Sequence, residues 1–213
     1  MPDRPNQIRA FVAACLPIDL LERIQTEQER LEAECGAGAV RWTRSEQLHL
    51  TLKFYGNVPG DQLEALKGAL HRAAAGVSPL SLMASGLGCF PSPQRPSIIW
   101  LGLDGNLVEL EKLQARIEQE SAGLGSHSED REFHPHLTIG RVKASGGRAR
   151  QVGEIIRSTE LGSVGTWEVN EITLMQSHLS PTGSTYTPLA EIRVANAPDS
   201  GFKSRSRGSE NQI

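Results

Sequence analysis

The tripeptide His-Leu-Thr occurs twice in this chain, at His49-Leu50-Thr51 and at His136-Leu137-Thr138, each time inside a run of strand-forming residues. Along a strand, residues i and i+2 face one side and residue i+1 the other. Each copy therefore presents an imidazole and a hydroxyl together, with a leucine behind them to be buried. A chain that does this twice needs two anchored strands whose polar faces stay open. That points to two similar strands bordering one shared cleft.

The surrounding pattern extends the repetition. Ile8 to Leu16 reads as a buried strand, and Pro17 with Asp19 opens a helix to about Cys35, striped by Leu21, Ile24, Leu31 and Cys35 and ended by Gly36 and Gly38. Leu48 to Tyr55 is strand-like, and Asp61 with Glu64 reads as a capping box for a helix carrying Leu63, Leu66 and Leu70. Strands follow around Leu80 to Leu87 and Ser97 to Leu103, split by Pro91-Ser92-Pro93. Asn106 then caps a helix with Leu107, Leu110, Leu113 and Ile117 on one face, closed by Gly123 and Gly125. His136 to Val142 is the second His-Leu-Thr strand, followed by a short helix with Val152, Ile155 and Ile156. Two last strands lie near Trp167 to Gln176 and Tyr186 to Val194, joined at Ser180-Pro181-Thr182-Gly183.

From His49 the order is strand, helix, strand, strand, helix; from His136 it is strand, helix, strand, strand. The first strand and helix of the chain, packed across, complete the second set. The expectation is an α+β, bilobal, duplicated fold: two antiparallel-rich sheets flanking a central cleft, with helices outside. Residues 1–196 form this single bilobal domain, and the polar stretch 197–213, with Lys203, Arg205 and Arg207 among serines and glycines, is expected to be a disordered tail.

Composition narrows the class. At 213 residues, 38% hydrophobic and 22% charged, the chain suits one soluble domain. A net charge of -3 excludes a protein that coats nucleic acid through many cationic contacts, though not one that grips a single phosphate. Cys15, Cys35 and Cys89 have neither the number nor the spacing of a disulfide framework or a four-cysteine zinc site, and are expected to be small buried residues. Pro2, Asp3 and Arg4 lead into the first strand without an apolar signal run, and no stretch approaches the roughly 18 apolar residues of a membrane helix. A cytoplasmic monomer without membrane association is expected.

Two imidazoles facing each other across a cleft suffice for phosphodiester chemistry without a metal. One, neutral, takes a proton from the attacking water or hydroxyl; the other, protonated, gives one to the leaving oxygen. The hydroxyls of Thr51 and Thr138 can donate to the non-bridging phosphate oxygens. Arg141, three residues after Thr138, could clamp a phosphate, provided that a bulge or the strand's end turns it to the face of His136. Lys143, Arg148 and Arg150 read as a solvated basic loop. His134 shares the face of His136 if the strand reaches that far, but a zinc site would need further ligands, and His71, His127 and His178 lack suitable spacing. Trp42, Phe54, Phe90 and Trp100 read as core or cleft wall, any exposed ring among them being able to stack on a base.

These residues sit in a wider pattern: Arg9-Ala10-Phe11-Val12-Ala13 before Leu16-Pro17; Arg41-Trp42 ahead of His49-Leu50-Thr51-Leu52-Lys53-Phe54 and Gly56; Phe90-Pro91; Ile99-Trp100-Leu101-Gly102; Phe133 through Arg141; and Ser177, Leu179, Pro181, Gly183 and Tyr186. From Ile8 to Val194 the chain resembles the two-histidine phosphoesterases, and among them the bacterial and archaeal RNA 2′,3′-cyclic phosphodiesterases, also called 2′-5′ RNA ligases. The resemblance implies a bilobal α+β fold and metal-independent hydrolysis of a terminal 2′,3′-cyclic phosphate to a 2′-phosphomonoester, with no cofactor. RNA ends or short oligoribonucleotides carrying that phosphate would be the partners, in a role in RNA processing. It implies that His49 is the proton donor and His136 the proton acceptor, with Thr51, Thr138 and Arg141 binding the phosphate; the residues alone do not tell acid from base. Tyr55 departs from the leucine usual before the glycine and should affect packing only. Three alternatives stay open: 2′-5′ ligation, which runs the same chemistry in reverse; hydrolysis of another cyclic nucleotide; and non-catalytic binding of RNA ends.

Overall fold

The computed structural model describes residues 7–126, 132–180 and 183–194. In chain order the elements are β1 (Gln7–Cys15), α1 (Ile18–Cys35), β2 (Val40–Trp42), β3 (His49–Pro59), α2 (Leu63–Ala74), β4 (Leu80–Phe90), β5 (Ile98–Gly105), α3 (Leu107–Glu120), β6 (Leu137–Val142), α4 (Gly146–Ser158), β7 (Ser163–Val169), β8 (Glu171–Ser180) and β9 (Gly183–Arg193). The α+β class expected from the sequence is the one observed. Residues 197–213, His127, Pro181 and Thr182 lie outside the described residues.

The two separate sheets expected from the sequence are instead one. Nine strands form a single antiparallel sheet in the order β7-β4-β5-β6-β3-β1-β8-β9, with β2 pairing the free stretch of β6. The halves meet at one pair, Leu50↔Leu137 between β3 and β6, and beyond it β2 takes over the edge of β6 through Val40↔Val142, Arg41↔Arg141 and Trp42↔Gly140. The physical reason is that two open sheets would leave β3 and β6 with unpaired edge groups. Joining them satisfies part of that edge.

Connectivity also requires the sheet to curl. β7 lies at one edge and β8 six positions away, which in a flat sheet would be roughly 29 Å at about 4.8 Å per strand. Asn170 alone links Val169 to Glu171, a reach of about 7.6 Å. The break at Asn170 divides what reads from sequence as one strand, Trp167 to Gln176. It is invisible in the periodicity because both sides are equally strand-forming.

Helices cover the convex face. α2 and α3 pack together, against β9 and β3 respectively, while α1 packs on β7 and α4, and α4 on β4. Thus α1 crosses from the β3 half to the β6 half, whereas β1 stays beside β3. The buried stripe of α1 is Leu20, Ile24, Gln28, Leu31 and Cys35, so Leu20 rather than Leu21 faces the core and a glutamine sits in its middle. The expected capping box does not form: Gly60–Gln62 is a 3-10 turn and Gln62 occupies the N-cap. Asn106 does occupy the N-cap of α3, but its side chain accepts from the Ser81 amide at 2.8 Å and ties the helix start to β4. Cys35 and Cys89 are buried and Cys15 is exposed, against expectation, at the open end of β1. Tyr55 is fully buried and donates to Ser121 Oγ at 3.2 Å beneath α3, a packing role. Among the described residues no helix is long and apolar enough to cross a membrane.

Candidate active site

The Leu50↔Leu137 pair organises the cleft. Both leucines are fully buried in the core. Continuing that register by one residue in each direction sets His49 against Thr138 and His136 against Thr51, all four on the concave face opposite the helices. Each histidine thus stands beside the threonine of the other tripeptide. A cleft of about 240 Å³ is lined by these four residues together with Arg141.

Arg141 reaches that face through a bulge. Against β5, Trp100 pairs with Thr138 and Ile99 with Gly140, leaving Ile139 as the extra residue. The bulge restores Arg141 to the face of Thr138, as its role would require. The same device recurs in β3, where Ala13 pairs with Thr51 and Val12 with Lys53, leaving Leu52 extra. Phe54 in β3 therefore holds the place that Arg141 holds in β6, and both line the cleft. Lys53 turns under α3 and pairs with Glu118.

Both imidazoles are oriented alike. His49 Nδ1 lies 2.8 Å from the Gln47 carbonyl, and His136 Nδ1 lies 2.7 Å from the His134 carbonyl. A carbonyl only accepts, so Nδ1 carries hydrogen in each ring, and Nε2 is left to take or give a proton. Their surroundings differ. Phe11 lies against His49 with ring centroids 4.8 Å apart, and Tyr186 meets it edge-on at 5.3 Å. Burial pushes the His49 pKa down to about 4; the Gln47 carbonyl opposes the shift, and the His136 charge adds to it. His136 meets Phe90 edge-on at 5.2 Å and Trp100 at 6.4 Å. Trp100 can lie flat there because Gly88, its register partner, has no Cβ; one would come within 2.1 Å of the indole.

Of the residues singled out from sequence, His49, Thr51, His136, Thr138 and Arg141 converge, Phe54 lines the same cleft, and Trp42 borders it while its ring packs over Gly140 on the core side. Phe90 and Trp100 pack beside His136. Exposed His134 contributes its carbonyl, not its ring. His71 lies in the last turn of α2 and His178 is exposed on β8, and neither lines the cleft. Arg148 donates to the Ala37 carbonyl at 2.8 Å, and Arg150 is exposed on α4. Among the described residues no three His, Cys, Asp or Glu side chains gather to hold a metal.

Sequence reasoning missed several lining groups. Arg41 and Arg44 enter from β2 and the turn after it, Gln47 precedes His49, and Gly183, Ser184 and Tyr186 come from β9. The Gln47 amide donates to the Ser184 carbonyl, holding the β8–β9 hairpin over the His49 end. Arg41 and Tyr186 were visible in the sequence only as members of a wider pattern; the contacts themselves come from distant parts of the chain.

A family model described as LigT like phosphoesterase matches residues 16–100 and 102–186, with one His-Leu-Thr in each stretch. The chain is 31% identical over 188 residues to an RNA 2′,3′-cyclic phosphodiesterase of Methanothermobacter thermautotrophicus, covering 88% of this chain and 100% of that one. Among solved structures, a Thermus thermophilus protein superposes with TM-score 0.71 at 25% identity, covering 89% of this chain and 99% of that one. E. coli LigT complexed with 3′-AMP does so with TM-score 0.70, also at 25% identity and with the same coverage.

Proposed function

Because the chain belongs to the LigT-like phosphoesterase family, we propose that it is an RNA 2′,3′-cyclic phosphodiesterase, opening a terminal cyclic phosphate to a 2′-phosphomonoester. The observation that carries this reading is the joint presentation of two Nδ1-tethered imidazoles and two threonine hydroxyls on one cleft face. Water attacks phosphorus while His136 Nε2 takes its proton. The bond from phosphorus to the 3′ oxygen breaks, and His49 Nε2 gives its proton to that oxygen. Thr51 and Thr138 donate to the non-bridging oxygens, and Arg141 holds them with its planar fork. Each proton transfer contributes about a hundred- to ten-thousandfold in rate.

A second reading exchanges the two histidines, and one observation favours it. With its pKa near 4, His49 is neutral at pH 7, as a base must be. Under the first reading, the negative charge of the bound phosphate must raise the proton affinity of His49 before it can donate. A substrate with sulfur in place of the 3′ oxygen separates the two, because a thiolate leaves without protonation: only the variant lacking the acid is rescued.

The reaction is tested with an oligoribonucleotide ending in a 2′,3′-cyclic phosphate, with and without chelator. The expected result is a 2′-phosphate product in both, lost in His49→Ala and His136→Ala. Activity abolished by chelator, or intact in either variant, would overturn the two-histidine mechanism. RNA ends are the partners in this reading, and one chain contains the whole site, so a monomer suffices.

A further inference from the structure

The cleft carries more positive charge than one cyclic phosphate uses. Such a diester has a single negative charge, which the Arg141 guanidinium alone already balances. Arg41 stands directly opposite Arg141 across the β2–β6 ladder. Directly opposed residues of an antiparallel pair share a face, and like charges there destabilise the pairing. Arg44 adds a third guanidinium to the same cleft, tied only at its exposed rim to Glu46 at 3.0 Å. Among the described residues no Asp or Glu lines the cleft, and neither Arg41 nor Arg141 makes a side-chain hydrogen bond or ion pair.

The backbone that carries the pair is nevertheless held in place. Gln28, 5% exposed, donates to the Thr43 carbonyl at 2.9 Å and to the Ile139 carbonyl at 2.8 Å, clamping the segment after Arg41 to the bulge before Arg141. Gly140 lets Val40 and Trp42 close over β6 on the core side, where a Cβ would come within 2.7 Å of Val40. Two exposed, uncompensated guanidiniums thus project from a clamped backbone on one face of an acid-free cleft, an arrangement that favours an anion.

We propose that Arg41, assisted by Arg44, forms a second anion subsite that takes the phosphate next to the reacting one, so that an oligonucleotide end is preferred over a cyclic mononucleotide. This inference rests on the phosphodiesterase reading and adds a specificity-determining residue to it. A guanidinium grips phosphate oxygens whatever the base, so the preference is for the extra phosphate rather than for sequence.

The test compares kcat and KM of wild type, Arg41→Gln and Arg41→Lys on three substrates sharing the cyclic phosphate. These are a mononucleoside 2′,3′-cyclic phosphate, the same compound with a 5′-phosphate, and a dinucleotide ending in the cyclic phosphate. Arg41→Gln should lose about ten- to a hundredfold more kcat/KM on the dinucleotide than on the mononucleoside, mainly through KM. The salt slope of dinucleotide binding should fall by about one. Arg41→Lys, with the charge but not the fork, should lie between. If the 5′-phosphorylated compound follows the dinucleotide, the subsite takes any nearby phosphate; if it follows the mononucleoside, the subsite requires an internal diester. Either result upholds it. Equal losses on all three substrates, or none, overturn it. Should wild type turn over none of them, equilibrium binding decides. A preference for a 2′-phosphorylated dinucleotide over a nucleoside 2′-phosphate, removed by Arg41→Gln, keeps the subsite and overturns hydrolysis; no such preference overturns both.

Discussion

The two ends of the cleft share a backbone device and differ in what they place on it. At the start of β3 and of β6 a His-x-Thr is followed by a one-residue bulge that brings the third residue after the threonine back to the cleft. In β3 that residue is Phe54, and the histidine beside it is enclosed by Phe11 and Tyr186. In β6 it is Arg141, with Arg41 opposite and Arg44 nearby. One end is aromatic; the other, although Phe90 and Trp100 flank its histidine, is cationic. Identical local geometry therefore supports two chemical environments, because the strands that supply the neighbours differ: β1 and β9 on one side, β2 and β5 on the other. Apolar enclosure penalises the charged imidazole, while guanidiniums attract the anion on which it acts.

The comparison can be broken at four places. The largest effect is expected at the histidines: His49→Ala and His136→Ala should each lower kcat about a hundred- to ten-thousandfold on a cyclic-phosphate-ended oligonucleotide. A variant retaining wild-type kcat would make its end of the cleft dispensable. Next, Arg141→Lys should cost about ten- to a hundredfold in kcat/KM, since an ammonium cannot reproduce the bidentate fork. Phe54→Leu at the equivalent place should cost less. A larger loss at Phe54 would mean that the aromatic end contributes more to binding than the cationic one.

Gln28→Leu should leave the Thr43 and Ile139 carbonyls without their donor and lower stability by about 1–3 kcal/mol in denaturant titration. Its kinetic defect should follow that of Arg141 variants, because the clamp lies on the cationic side. The smallest effect concerns pH. The folded-state pKa of His49, about 4, lies below its ordinary 6.5, so the unfolded chain binds more protons in that interval. The contribution is fully present above pH 6.5 and is lost as pH falls toward 4. With partial solvent screening it amounts to on the order of 1 kcal/mol. Thermal melts of wild type and His49→Gln across that interval check it: the variant should have the shallower acid limb, and parallel limbs would contradict the enclosure of His49.

How much was legible in the chain depends on the range of the interaction. Strand alternation put His49 with Thr51 and His136 with Thr138, and helical spacing located all four helices, because both are local periodicities. Leu21 and Leu20 are adjacent and equally apolar, so only the docking of α1 on β7 decides between them. The capping-box residues Asp61 and Glu64 are present, but the 3-10 turn at Gly60–Gln62 takes the place of the cap. Gln28 reads as an ordinary polar residue in a helix, since its two acceptors lie 15 and 111 residues away.

By itself the sequence determined two strand segments, each presenting one histidine and one threonine on a common face within an α+β chain, although β6 starts at Leu137 with His136 just ahead of it. Tertiary structure alone decided that one sheet carries both, that bulges turn Arg141 and Phe54 into the cleft, that Arg41 faces Arg141, and that His49 is enclosed while cations gather at the other end. The reason is physical: side-chain direction along a strand follows from backbone geometry, whereas register, bulges and desolvation depend on which distant segments pair, and no local pattern records that choice.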